Sequence, residues 1–135
     1  MDEGIDFYRE HILDHARNQR NWGLLDPADF DHEEANSLCG DHLHLTLRLD
    51  EKDRITAVGW DGHGCAISQA SASLLGEQII GMSLEEAKRL QRDDILDLIG
   101  LQLSPNRMRC ALLSLKVLVV GAAGTHEWEL IEDED

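Results

Sequence analysis

The sequence predicts an α+β fold: a small antiparallel sheet of about three strands, an N-terminal helix, and further helices packed on one face of the sheet, all in a single domain. Three observations carry this expectation. Apolar residues recur with a period of two over 42–49, bracketed by segments of helical period. Strand signals are contiguous and helix signals follow them, so the βαβ alternation of a doubly wound sheet is missing. And 135 residues with 42% hydrophobic content suffice for one core, with little room for two.

The elements follow in order. Ile5, Tyr8, Ile12 and Leu13 share one face of a helix from Ile5 to about Arg17. Asn18 to Leu38 mixes Asn, Gly, Pro and Asp and reads as loop, with a weakly signalled strand near Phe30 to Asn36. Leu43, Leu45, Leu47 and Leu49 alternate with His42, His44, Thr46 and Arg48, the pattern of a half-buried strand. Asp50-Glu51-Lys52-Asp53 is a turn, and Ile55 to Trp60 is a second strand pairing back on the first.

Gly62-His63-Gly64-Cys65 breaks the sheet pattern. A helix follows, with Ile67, Ala70, Ser71, Leu74 and Leu75 on one face and Gly81 placed to end it. Ser83-Leu84-Glu85-Glu86 has the form of a capping box and opens a helix to about Arg92. Asp94 to Leu103 is a short helix interrupted at Gly100. Ser104-Pro105 is an N-cap followed by proline at the first helical position. That last helix runs to Val120, burying Met108, Ala111, Leu112, Leu115, Leu118 and Val119, with Gly121 and Gly124 stopping it. The domain is expected over 1–125, with 126–135 as an acidic tail.

Charge narrows the class of partner. The net charge is −15. Residues 1–35 carry ten acids against three bases, 36–125 eleven against nine, and 126–135 six against none. The centre is near neutral and the ends are acidic. Phosphate backbones and anionic lipid repel such a surface, so neither nucleic acid nor a membrane is expected as partner. Without an apolar run of spanning length or a basic-then-apolar leader, the expected place is the cytoplasm.

Three cysteines, Cys39, Cys65 and Cys110, stand 26 and 45 residues apart. An odd number in a reducing compartment argues against a disulfide framework. Each falls at the end of a predicted element, where distant segments meet. Asp41 follows Cys39 with only Gly40 between, and glycine permits a turn that aims both side chains at one centre. Three thiolates and one carboxylate suit a tetrahedral zinc or iron ion. A carboxylate holds soft metals more weakly than a fourth thiolate, which favours exchange over permanent binding. Two other readings stay open: cysteines as core filler, and Cys65 as a nucleophile activated by a helix N-terminus. His42 and His44 read as surface histidines, His63 as a loop residue or accessory ligand, and Trp60 as core. Ser68, Ser71 and Ser73 read as close-packing residues. No histidine is placed to serve a cysteine hydrolase.

Three ordered motifs carry a family resemblance. The chain reads Asn36-Ser37-Leu38-Cys39-Gly40-Asp41, then Trp60-Asp61-Gly62-His63-Gly64-Cys65-Ala66-Ile67-Ser68, then Pro105-Asn106-Arg107-Met108-Arg109-Cys110-Ala111. Over residues 5 to about 120 it resembles the U-type iron–sulfur assembly family: the scaffold IscU, its relative SufU and the N-terminal domain of NifU. The resemblance implies that Cys39, Asp41, Cys65 and Cys110 form one site holding a transient 2Fe–2S cluster or a zinc ion. It implies Cys110, Cys39 and Cys65 as candidate sulfur acceptors; Arg109 itself reads either as a guanidinium that steadies thiolates or a cluster electrostatically or as a solvated helix residue. A PLP-dependent cysteine desulfurase would donate the sulfur, and apoproteins would receive the cluster. The protein is then a scaffold or carrier; the alternative is a zinc-dependent sulfurtransferase of the SufU kind.

Departures from the family pattern point both ways. Arg109 stands where the scaffold branch has histidine and SufU a basic residue. The 45-residue spacing leaves no room for the SufU insertion. Ser37 replaces the loop proline, and Gln19 replaces a proline near the expected desulfurase contact. Leu103-Ser104-Pro105-Asn106-Arg107 lacks the segment read by the dedicated chaperone.

Overall fold

A computed structural model of the chain describes residues 3–36, 40–100, 102–123 and 128, with side chains from residue 9 onward. The element order is α1 (Glu3–Arg17), β1 (Phe30–Asn36), β2 (Asp41–Leu49), β3 (Ile55–His63), α2 (Ala66–Ile79), α3 (Leu84–Ala87), α4 (Arg92–Ile99) and α5 (Pro105–Ala123). The strands form one antiparallel sheet in the order β1-β2-β3. This is the expected α+β architecture, and the weakly signalled strand over 30–36 is present.

Register explains how the sheet buries one face. Phe30 pairs with Leu47, and Leu47 with Val58; His32 pairs with Leu45, and Leu45 with Trp60. Directly opposed residues share a face, so these rows point together toward the helices. Leu43, Leu45, Leu47 and Trp60 are completely buried. Each such leucine contributes about 1.5–3 kcal/mol through burial. α5 lies across β1 and β2, α2 lies against β3, α1 packs on α2, and α4 touches both α2 and α5. α2 and α5 are therefore largely enclosed, and α5 buries Leu113, Ser114 and Val117 beyond its expected stripe. Trp128 is also buried; the rest of the expected acidic tail lies outside the described residues.

Along the outer edge of β3 and over the sheet face away from the helices, the loop after α1 does more than connect. Its Gly23 N–H donates to the Trp60 carbonyl at 2.7 Å, and the Trp60 N–H donates to Asn21 at 2.9 Å. The Leu25 N–H donates to Thr46 Oγ1 at 3.0 Å, and that hydroxyl donates to the Gly59 carbonyl at 2.7 Å. The loop thereby covers Thr46, which is buried although it faces away from the helices.

Several boundaries differ from expectation. Ser83 does form its capping box, but α3 is a single turn ending at Ala87. A second start signal interrupts it: Gln91 is extended, and its N–H donates to Asp94 Oδ2 at 2.7 Å, so a new helix begins at Arg92. Gly100 ends α4 in the left-handed region at φ 74°. Ser104 caps α5, accepting from the Arg107 N–H at 3.3 Å. Gly121 does not stop that helix. It lies inside α5, where a Cβ would come within 3.0 Å of the Phe30 ring and His32, so glycine there permits close packing on β1. β3 extends through Gly62 to His63, which makes His63 a strand residue rather than a loop residue.

Candidate metal centre

Three element ends meet at one end of the sheet. Asp41 opens β2 and points, with Leu43, toward the helices; only 1% of it is exposed. Gly40 before it takes a left-handed turn at φ 71°, a conformation glycine adopts without strain. Cys65 is the N-cap of α2, in extended backbone, and is exposed. Cys110 lies in the second turn of α5 and is buried.

One ligand atom from each of Asp41, Cys65 and Cys110 lies within 4.8 Å of the others. Donors around a tetrahedral zinc with bonds of 2.0–2.3 Å stand about 3.3–3.8 Å apart. The group is thus an ångström or so from closing on an ion. Two thiols and a carboxylate are donors that zinc and iron accept and magnesium does not favour. Cys39, the fourth expected ligand, lies outside the described residues. Arg109 is exposed on α5, one residue before Cys110. His63 is not an accessory ligand in this arrangement: its ring lies beside that of His42, on the other side of the sheet.

Asp41 has a second task. Its Oδ1 accepts from the Cys65 N–H at 2.9 Å, while Oδ2 faces the Cys65 sulfur at 3.9 Å. A strand carboxylate therefore satisfies one of the unpaired N–H groups at the start of α2, and negative charge there is favoured by the helix dipole. Gly64 makes the approach possible. A Cβ on it would stand within 3.0 Å of both the Asp41 carboxylate and Ser68 Oγ. Gly62, at φ 138°, brings the strand equally close to the backbone of His42.

Two residues that sequence reasoning assigned no part in the site hold the turn. Ser68 Oγ donates to the Cys65 carbonyl at 3.0 Å and lies 3.9 Å from the Cys65 sulfur. Gln69 Nε2 donates to the Gly64 carbonyl at 2.7 Å, and Gln69 in turn meets the Gln19 amide from the loop after α1. Their spacing, three and four residues past Cys65, was the available signal: both belong to the first turn after an N-cap. Trp60 is core, as expected, with no exposed surface.

Comparison with known proteins gives one consistent result. The profile of the NifU-like N-terminal domain matches residues 7–127. The zinc-dependent sulfurtransferase SufU of Bacillus subtilis is 35% identical over 136 aligned positions, covering 86% of this chain and 89% of that protein. The iron–sulfur cluster assembly scaffold protein IscU of Thermotoga maritima is 34% identical, covering 82% of this chain and 89% of its own. Among solved structures, an iron–sulfur cluster assembly scaffold protein for the SUF system from Fervidobacterium islandicum superposes with a TM-score of 0.74 at 29% identity. It covers 84% of this chain and 94% of its own.

Proposed function

Since the chain belongs to the NifU-like N-terminal domain family, we propose that it is an iron–sulfur cluster assembly scaffold, a carrier that receives sulfur from a PLP-dependent cysteine desulfurase and passes a 2Fe–2S cluster to recipient apoproteins. The observation that carries this reading is the convergence of Asp41, Cys65 and Cys110 donors within 4.8 Å. Cys39, two residues before Asp41 in sequence, completes the proposed ligand set.

The chemistry follows from the residues. A cysteine thiolate attacks the outer sulfur of the desulfurase persulfide; a new S–S bond forms, the old one breaks, and the desulfurase leaves as its own thiolate. Cys39, Cys65 and Cys110 are the candidate acceptors, and of the two described thiols Cys65 is the exposed one. The thiolates then hold the cargo while the carboxylate of Asp41 keeps one position weakly bound, which favours release. Arg109, one residue before Cys110, supplies positive charge on the same helix end as negative charge accumulates. Reduced thiols fit the cytoplasm.

A second reading, a zinc-dependent sulfurtransferase, is favoured by Arg109 and by the identity to SufU. In that case zinc resides in the same ligand set, and one cysteine leaves it to take the sulfur.

Anaerobic reconstitution with ferrous iron, cysteine, a cysteine desulfurase and a dithiol reductant, which supplies the electrons that turn persulfide sulfur into sulfide, separates the two. The scaffold reading expects acid-labile sulfide and a sulfur-to-iron charge-transfer absorption, both lost in Cys65→Ser. Colourless protein holding stoichiometric zinc, whose removal abolishes stimulation of the desulfurase, establishes the second reading and overturns the first.

A further inference from the structure

The sheet face opposite the cysteine centre carries a set of donors that the proposed function leaves unused. Asp41 points toward the helices, so the alternation of a strand sends His42 and His44 the other way. Register places Glu33 and Asp61 on either side of His44, and His63 beside His42. Three imidazoles and two carboxylates, with Asp31 one row further along, thus share one patch.

Within this patch the contacts have a particular order. Glu33 Oε2 stands 3.4 Å from His42 Nε2 and 3.4 Å from His44 Nδ1. Both separations exceed the usual 2.7–3.2 Å hydrogen bond. They match the roughly 3.4 Å edge of a tetrahedron with bonds near 2.1 Å, the geometry of zinc with nitrogen and oxygen ligands. The second nitrogen of His44, Nε2, is held by Asp31 Oδ1 at 2.5 Å. A metal-ligating histidine typically has its other ring nitrogen fixed by a carboxylate in this way. The Asp31–His44–Glu33 side is therefore already oriented. The donors do not all lie within 4.8 Å of one another, in contrast to the cysteine group. Closure requires His42, whose ring is 35% exposed, to swing toward His44 while staying on Glu33.

We propose that His42, His44 and Glu33 form a second, exchangeable site for a divalent transition metal, with Asp31 as the residue that positions His44 and with Asp61 and His63 at its margin. Imidazole and carboxylate donors suit zinc or ferrous iron as single ions. With no thiolate among them, the site holds an ion and not a cluster. It stands on the other face of the sheet from Asp41, Cys65 and Cys110, and the proposal does not depend on what that centre carries.

Anaerobic cobalt and zinc titration of the apoprotein tests it. The expected result is two equivalents bound per chain, of which one gives thiolate-to-cobalt charge transfer and the other adds none. The doubly substituted H42Q/H44Q protein should keep the charge-transfer band and lose the second equivalent. Asp31→Asn should weaken the second equivalent about 10–100-fold, as loss of an orienting carboxylate does elsewhere. Zinc-dependent shifts of the His42 and His44 ring resonances, recorded with the thiolate centre first filled by cobalt or blocked as C65S/C110S, give a direct reading. A single equivalent per chain in the wild-type protein, or a second equivalent that survives in H42Q/H44Q, overturns the proposal.

Discussion

Gly64→Ala places one methyl group where the structure has no room for it. The new Cβ would lie within 3.0 Å of the Asp41 Oδ1 and Cγ atoms and of Ser68 Oγ. No unusual backbone angle is required of Gly64, so the cost is one of space alone. Both the carboxylate and the Ser68 hydroxyl must give; the hydroxyl can turn about its own Cα–Cβ bond, so the larger carboxylate is the group whose displacement costs most. Displacing it breaks the 2.9 Å bond from the Cys65 N–H. Hydrogen bonds to a charged partner are worth about 1.5–3 kcal/mol. With a urea m-value of about 2 kcal/mol/M for a chain of this size, the midpoint should fall by roughly 1 M. Equilibrium unfolding of the metal-free protein, followed by far-UV circular dichroism, measures it. Zinc affinity, measured by competition with a chelator, should fall by about 10–100-fold as the carboxylate loses its position. The double-mutant cycle with Asp41→Ala isolates the cause: in that background the methyl group should cost far less, since its main obstacle is gone. An unchanged midpoint and zinc affinity in Gly64→Ala, or full additivity with Asp41→Ala, would refute the argument.

Other outcomes follow from the same contacts. Asp41→Asn, with its amide oxygen toward the Cys65 N–H, should retain most of the stability that Asp41→Ala loses, while both weaken zinc binding; equal destabilisation on urea unfolding would contradict the double task of the carboxylate. In a Cys39→Ser background Cys65, being exposed, should alkylate much faster than buried Cys110, and zinc should protect both; equal rates by peptide mass analysis would show the burial difference to be irrelevant. Leu45→Ala removes a fully buried side chain opposite Trp60 and should cost about 2–5 kcal/mol in urea unfolding. Burial holds the His15 imidazole below its ordinary pKa of about 6.5, with Arg20 and His11 adding to the effect and Glu77 and Asp14 opposing it. The unfolded chain therefore binds more protons there, so this stabilisation is present above pH 6.5 and is lost as pH falls through the lower folded value. Wild-type stability should decline across that window more steeply than that of His15→Gln, by at most about 1.4 kcal/mol per pH unit.

What the sequence conveyed depended on whether a signal was local. The alternating leucines of β2 and the Ser83 and Ser104 caps are read within a few residues, and the structure contains all of them. The start signal at Gln91 is equally local but lies in the Gln N–H and the Asp94 carboxylate rather than in a Ser or Thr, and such a pair is indistinguishable by pattern from helix interior. Gly121 looks like a stop because glycine commonly is one; only the Phe30 ring from a strand ninety-one positions earlier shows otherwise. The candidate site divides the same way. Motif residues named Asp41, Cys65 and Cys110, but the bond from the Cys65 N–H to Asp41 and the His44–Glu33–His42 patch depend on pairing between strands. The partner of His15 is non-local in the same way. Nothing in a helix pattern reveals that Ser73 on α2 meets its ring at 2.8 Å.

In the proposed scaffold role, the two oxygens of Asp41 would let the site exchange its cargo without unfolding its own walls. A ligand that both binds metal and holds the fold together would ordinarily couple the two, so that release of metal would loosen the protein. Here the tasks fall on different atoms. Oδ1 is committed to the Cys65 N–H at the start of α2, and Oδ2 faces the sulfur. A metal can gain or lose Oδ2 while Oδ1 keeps the strand and helix joined. The two described thiols are similarly divided, one exposed at a helix N-cap and one buried in α5. One side of the centre is thus anchored in the core, through Cys110 and the buried carboxylate, and the other opens to solvent at Cys65. That asymmetry suits a carrier: sulfur and iron can arrive and depart through the open side, and the anchored side keeps its geometry for the next load.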